Sequence, residues 1–414
     1  MNKTILHSAV FLLAVLVFSE HPAISQETDT SAVIGEIRPQ FRPLARMFST
    51  SEAQFPTSGN TVQIIKDGLE KLDLLAVDMM EAEDYIHMEY FEFFRDPGSR
   101  LVRLAMNLRG EDSLEVRYIV EDFMDLTKSV NYFGSMRRHG VEVGHYSLLH
   151  LNRRNHQKIV VIDGKIGYTG GMNIGNHYFY SWKDTHLRLT GPCVESLENH
   201  YSDMWKRVGG KPSRYEAGKG SEGYREGESG NNPKTVQIVS SNPADGHEIM
   251  DGYVWILDNC LNYIYIQTPY FTPPREIRDA MRRAVARGVE VYVLIPEKTD
   301  MHIVDPANRS YYRECLDAGV RIFQSKGKFD HSKMFVCDDY LSSVGSANLD
   351  GRSMKINHEI NTYIYNEETA LQVKERILEQ IRSCSEEITA ETLQSWSAGK
   401  KIGNSLARIL AGQL

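Results

Sequence analysis

His156-Gln157-Lys158-Ile159-Val160-Val161-Ile162-Asp163-Gly164, closing on Gly170-Gly171-Met172-Asn173, decides how this 414-residue chain is read. The same chemistry returns as His331-Ser332-Lys333, then Asp338, closing on Gly345-Ser346-Ala347-Asn348. In both copies Lys stands two residues after His, Asp seven after and Asn seventeen after. Matches at identical offsets mark a duplication, and an internal repeat sets the architecture before any local feature does. The repeat extends outward from the motif. Ile86-His87-Met88-Glu89 corresponds to Ile264-Tyr265-Ile266-Gln267, and Leu114-Glu115-Val116-Arg117 to Val289-Glu290-Val291-Tyr292. Gly140-Val141-Glu142-Val143 corresponds to Gly319-Val320-Arg321-Ile322.

In an extended segment residues i and i+2 share a face, so imidazole and ammonium project together. The apolar run 159–162 predicts a buried strand, and Gly164 a turn. The small pair Gly170-Gly171 lets backbone approach a ligand and brings Asn173 to the same edge. Gly345-Ser346 and Asn348 do so in the second copy. Each set offers a nucleophile or acid, a positive charge and a neutral amide. Two sets facing each other across a pseudo-two-fold axis suit a phosphodiester. Lys158, Lys333, Asn173, Asn348, Gly171 and Ser346 would surround its oxygens, while His156 and His331 supply in-line attack and protonation of the leaving alkoxide. Asp163 and Asp338 complete the repeated catalytic motif, although their place at a turn after a buried run favours holding the loop. A lysine between the candidate ligands repels a metal ion, so neither metal nor cofactor is expected.

These motifs resemble the phospholipase D superfamily, whose signature is a duplicated His-x-Lys-x4-Asp element; the likeness covers roughly residues 60–390. Trp182-Lys183-Asp184-Thr185-His186 before Gly191-Pro192 resembles the cardiolipin synthase branch. So do Thr268-Pro269-Tyr270-Phe271-Thr272-Pro273, Arg309-Ser310-Tyr311-Tyr312, and Asn348-Leu349-Asp350-Gly351-Arg352-Ser353 leading to Asn357 and Glu359. Asn176-His177 departs from the acidic pair usual there. The resemblance implies a phosphatidyl transferase acting on phospholipid, phosphatidylglycerol in particular, through a phosphohistidine. It implies His156 as nucleophile and His331 as acid–base. It also implies that Asp184 and Glu359, at parallel places in the two halves, contact and orient the motif histidines. With water as acceptor the enzyme would be a phospholipase D; other superfamily members cut nucleic acids. A catalytically dead lipid-binding module is disfavoured by two intact sets.

Strand signals over 85–94, 116–120 and 141–146 alternate with helix signals over 98–109 and 130–138, and the pattern repeats from residue 263. This predicts an α/β fold of two homologous α-β-α halves with mostly parallel sheets, packed with the active site at their interface. Residues 1–25 read as a secretory signal: Lys3, an apolar 5–18, and Ala23-Ile24-Ser25 for cleavage. Fourteen helical residues rise only ~21 Å, short of a ~30 Å hydrocarbon core. The body is therefore expected outside the cytoplasm, periplasmic or extracytoplasmic, and associated with a membrane surface. A loosely ordered lead-in (26–59, with Pro39, Pro43 and Pro56) precedes the first half (60–215). A Gly/Ser/Glu-rich linker (216–233), the second half (234–390) and a basic amphipathic tail (391–414) follow. In the tail Ile402, Leu406, Ile409 and Leu410 share one helical face, suited to a membrane surface or to docking on the body. Arg153-Arg154, Lys326 and Lys328 offer a basic rim to anionic head groups. The net charge of −8 argues against broad nucleic-acid affinity, and no obligate protein partner is implied. Five cysteines without a Cys-x-x-Cys pair read as small buried hydrophobes. His87, His139, His200 and His247 lack a matching Lys/Asn set and read as packing or surface residues.

Overall fold

Tight turns fix the direction of the motif strands. Asp163 and Gly164 have positive φ (54° and 65°), as do Asp338 and Asp339 (50° and 51°), and tight turns of this hand close antiparallel hairpins, here across residues 163–165 and 338–340. Lys158–Ile162 thus pairs antiparallel with Ile166–Gly170, and Met334–Cys337 with Leu341–Gly345. Outer strands are joined by helices instead, which carry the chain back so that the next strand runs parallel. Pro97–Glu111 links Tyr85–Tyr90 to Glu115–Glu121, and Arg275–Ala286 links Tyr263–Gln267 to Glu290–Pro296.

The computed structural model describes residues 30–122, 131–146, 152–215, 232–242 and 246–410. Their main sheet has fifteen strands. From one edge it runs Ser385–Ile388, Arg321–Ser325, Glu290–Pro296, Tyr263–Gln267, Met334–Cys337, Leu341–Gly345, Glu359–Tyr365 and Lys234–Ser241. It continues with Thr57–Ile65, His186–Thr190, Ile166–Gly170, Lys158–Ile162, Tyr85–Tyr90, Glu115–Glu121 and Glu142–Tyr146. Apart from the edge strand Ser385–Ile388 the order is a palindrome, with the pseudo-two-fold between Thr57–Ile65 and Lys234–Ser241. The α/β class and the two halves are as expected. Strand direction needs correction: in the main sheet parallel pairing is confined to Tyr85–Tyr90, Glu115–Glu121 and Glu142–Tyr146 in one half and Tyr263–Gln267, Glu290–Pro296 and Arg321–Ser325 in the other, and all other neighbours are antiparallel. Hairpin turns, which the alternation of strand and helix signals does not reveal, are the reason.

Both faces of the sheet are covered, so the motif strand is apolar on both faces after Lys158. Ile159 and Val161 pack on one face with Leu197 and Trp205. Val160 and Ile162 pack on the other with Met88 and Tyr118. The 26–59 lead-in is not loose where described. Pro39 and Pro43 stand at the starts of a 3-10 turn (Pro39–Phe41) and a helix (Arg42–Phe48), where a missing N–H costs nothing. Phe41, Leu44 and Phe48 are buried against Ile249 and Tyr253 of the second half. Helices this short hold through packing rather than propensity, so composition alone misread them. All five thiols are free, four of them buried. The 1–25 segment and residues 216–231 of the linker lie outside the described residues. Among the described residues no helix is long and apolar enough to cross a membrane.

Candidate active site

Each motif histidine is held by the half to which it does not belong. The extended segment before Lys158–Ile162 crosses over: Asn155 bridges His358, the His156 N–H donates to the His358 carbonyl (2.9 Å), and the His358 N–H to the Arg154 carbonyl (2.8 Å). Lys183 and Asp330 form the equivalent bridge, with the His331 N–H on the Lys183 carbonyl (2.8 Å). The acids cross with the backbone. His156 Nδ1 meets both Glu359 oxygens (2.8 and 3.0 Å), and His331 Nδ1 meets Asp184 Oδ2 (2.9 Å). All four side chains are buried. With Nδ1 engaged, Nε2 is left as the nitrogen for reaction.

Lys158 and Lys333 donate to the carbonyls of their own motif histidines, His156 (2.6 Å) and His331. Burial pushes Lys158 down to about 7 against the pull of Glu359, with Lys333 pushing further, and burial pushes Lys333 down to about 8 against Asp184 and Glu359. Burial takes His156 to about 4, with Lys158 and Lys333 adding to the effect. His331 lies well below its ordinary value through burial, then Lys333, Lys158 and His156. The two half-sites therefore act on one another. Burial opposes ionisation of Glu359, yet His156 and Lys158 hold its carboxyl below the usual range. Both imidazoles are neutral near pH 7, and the buried lysines, partly deprotonated there, would regain protons on binding an anion.

Several candidate residues do different work from that expected. The Gly171 N–H donates to the Thr185 carbonyl and the Ser346 N–H to the Ile360 carbonyl (both 2.9 Å), so neither amide is offered to phosphate. Their positions serve the acids instead. A Cβ on Gly171 would lie 2.2 Å from Asp184 Oδ1, and the Ser346 hydroxyl donates to Glu359 (2.5 Å). Asn173 Nδ2 donates to the Tyr178 hydroxyl (2.8 Å) and to Glu92 (3.2 Å). Asn348 keeps a buried Oδ1 without a partner. Asp163 and Asp338 leave the catalytic set. They sit at the opposite ends of their strands from the lysines: Asp163 accepts the N–H groups of Glu83, Asp84 and Tyr85 (2.8–2.9 Å), and Asp338 those of Leu261, Asn262 and Tyr263 (2.8–3.1 Å). Asn176 accepts the Gly98 N–H (2.9 Å) and His177 packs edge-on to Phe94 and Trp182, so this pair ties the helix Pro97–Glu111 to the site.

Sequence reasoning missed Lys71. It is fully buried, donates to the Met172 carbonyl (2.8 Å), lies over the Tyr90 ring and acts electrostatically on Asp184. The signal was its register: it falls on the buried face of Gly68–Met80 with Leu72, Leu75 and Met79. The surroundings of the two histidines also differ. Tyr178, Trp182, Phe329 and Tyr270 stand 5.5 to 6.3 Å from the His331 ring. At the positions equivalent to Trp182 and Phe329 the other half carries Asn357 and Arg154; Arg352 donates to Asn357 (3.3 Å). The His331 end of the site is the more aromatic; at the other, Phe91 packs edge-on to the His156 ring (4.8 Å) beside polar and basic groups. Among the described residues no group of three or more His, Cys, Asp or Glu side chains is placed to hold a metal ion.

Fold and half-sites together define a duplicated α/β protein of the phospholipase D kind. The family "Cardiolipin synthase, PLD-like domain" matches the chain twice, at 75–205 and 253–382. Cardiolipin synthase 1 of Staphylococcus epidermidis (strain ATCC 12228 / FDA PCI 1200) is 33% identical over 383 residues, 89% of this chain and 77% of that one. A cardiolipin synthase of Staphylococcus aureus (strain Mu50 / ATCC 700699) is 33% identical over 386 residues, 90% and 77% of the two chains. Among solved structures, phosphatidylserine synthase of Haemophilus influenzae Rd KW20 superposes with a TM-score of 0.66 at 14% identity, covering 85% of this chain and 95% of that one. Polyphosphate kinase of Porphyromonas gingivalis gives 0.57 at 11% identity, covering 86% and 53%; these likenesses show the fold. The chain belongs to the cardiolipin synthase family of the phospholipase D superfamily and is an enzyme of that kind.

Proposed function

We propose that this enzyme makes cardiolipin from two molecules of phosphatidylglycerol through a phosphohistidine. The observation that carries the reading is the pair of crossed His–carboxylate contacts flanked by buried lysines. His156 Nε2 attacks phosphorus; the bond from phosphorus to the head-group glycerol oxygen breaks, and His331 in its protonated form gives that oxygen a proton. Binding of the anionic phosphodiester raises the His331 pKa to allow this. Glycerol leaves. Neutral His331 then takes the proton from a hydroxyl of the second phosphatidylglycerol, whose oxygen attacks phosphorus and breaks the P–N bond. Glu359 and Asp184 orient the rings and stabilise each cationic imidazole as it forms, and the lysines balance charge on the phosphoryl oxygens. The unequal ends favour an amphiphilic phosphodiester: aromatic side chains for the glycerol-ester side, Arg154 and Arg352 for polar head groups. Purified protein incubated with phosphatidylglycerol vesicles and examined by lipid mass spectrometry tests this. Cardiolipin with released glycerol is expected. Phosphatidic acid alone would replace transfer by hydrolysis, and cleavage of single-stranded DNA with intact lipid would replace both by nuclease action.

A further inference from the structure

The C-terminal helix Ala398–Leu410 packs on the body by its polar side. Asn404 is buried and accepts from Arg309 Nε (3.5 Å). Arg408 donates to the Ser310 carbonyl (3.2 Å), pairs with Glu314 and lies over the Tyr311 ring. The opposite side is apolar and faces outward: Ile402 is 61% exposed, Leu406 60% and Ile409 78%. Surface helices of globular proteins turn such a stripe inward, so this inversion marks a face made for something else. Met301 and Ile303 are further exposed apolar side chains (49% and 61%), in the loop leading into the helix Val304–Ser310 on which the C-terminal helix rests. That loop reaches the site, since Asp300 accepts from the Tyr270 hydroxyl (2.6 Å) and the Tyr270 ring lies 6.3 Å from His331.

We propose that the outward stripe of Ala398–Leu410, with Met301 and Ile303, is a docking face for an anionic phospholipid bilayer that sets the rim of the active site on the membrane. This rests on the lipid reading above. Charge favours a bilayer over a second copy of the chain. The helix contains no acid, and Lys400 and Lys401 make no ion pair among the described residues; Lys400 lies over Trp396 and Lys401 donates to a backbone carbonyl. Two such faces would repel one another, and three side chains fall far short of the roughly 800 Å² per partner of a stable interface. An apolar stripe edged by lysines is what an interfacial helix needs, and each lysine near an anionic surface adds about fivefold to binding.

The test uses the full chain and flotation on vesicles of phosphatidylcholine with or without phosphatidylglycerol. Wild type is expected to float with the anionic vesicles at least tenfold better than with neutral ones. The variant I402S/L406S/I409S alters only exposed side chains. It is expected to lose at least tenfold in both flotation and turnover of vesicle lipid, while turning over monomeric dihexanoyl phosphatidylglycerol within twofold of wild type. Undiminished flotation of the variant would overturn the proposal, as would a wild-type dimer that the triple variant converts to monomer in light scattering. Failure of both proteins on the short-chain lipid would remove the functional reading, while flotation would still decide docking.

Discussion

Binding of an anion to the paired lysines is expected to weaken steeply with pH. In the free protein burial depresses Lys158 to about 7 and Lys333 to about 8. A bound phosphodiester monoanion offsets that burial and returns both toward the ordinary lysine value of ~10.4. The bound state then holds more protons than the free state, so affinity falls as pH rises through the free-state values. At pH 9 the cost is about a hundredfold at Lys158 and about tenfold at Lys333, roughly a thousandfold together relative to pH 6. Dibutyl phosphate isolates this effect in the His331→Ala protein, because its own charge is constant over that range and the histidine that gains a proton on anion binding is gone. Calorimetric titration between pH 6 and 9, in buffers of different ionisation enthalpy, reads both affinity and protons taken up. More than one proton per anion is expected at pH 9. Lys158→Arg carries a charge that does not titrate there, so only the shallower, about tenfold fall should remain. Equal affinity at pH 6 and 9 with no proton uptake would refute the reasoning, since the lysines would then be fully charged without an anion.

Three further outcomes are expected. Because lysines supply the positive charge, excess chelator should leave turnover of phosphatidylglycerol intact; loss of turnover restored by a divalent ion would refute this. With a p-nitrophenyl phosphodiester donor, whose leaving group needs little protonation, His331→Ala should stall as an adduct on His156 in acid-quenched mass spectrometry, and His156→Ala should form none. An adduct on His331 would reverse the two roles. Asp163→Ala removes the acceptor of three backbone N–H groups and should destabilise by about 2–4 kcal/mol in denaturant, with turnover per folded molecule unchanged; a selective loss of turnover would return Asp163 to the catalytic set.

The side chains that meet at the site were legible in the sequence because they were written twice. His156 and His331 carry their lysines at the same offset, and the downstream acids Asp184 and Glu359 are in register as well. Strand direction was less legible, because it depends on turns as small as Asp163-Gly164 rather than on hydrophobic period. Gly171 and Ser346 were misassigned for a related reason. Small residues after a strand signal a close approach but do not say of what, and here the approaching groups are the carboxylates of Asp184 and Glu359. Lys71 carries no repeat partner and no motif; only its position on a buried helical face betrays it.

What no repeat could disclose is that the pairs cross. A sequence with His156 and Asp184 in one half, His331 and Glu359 in the other, invites two self-sufficient half-sites. The structure instead completes each imidazole with the other half's acid and backbone. A neutral buried imidazole lacking its carboxylate would have neither fixed orientation nor support for the cation it becomes. On the proposed mechanism neither half alone could therefore form or discharge a phosphohistidine efficiently, and chemistry would wait on the docking of both. Crossing also frees the flanks to diverge. The residues around each ring come from both halves, so Trp182 and Phe329 could build an aromatic wall at His331 while Asn357 and Arg154 took the same positions beside His156. A symmetric duplication thereby acquires two unlike ends, as the proposed amphiphilic phosphodiester substrate would require.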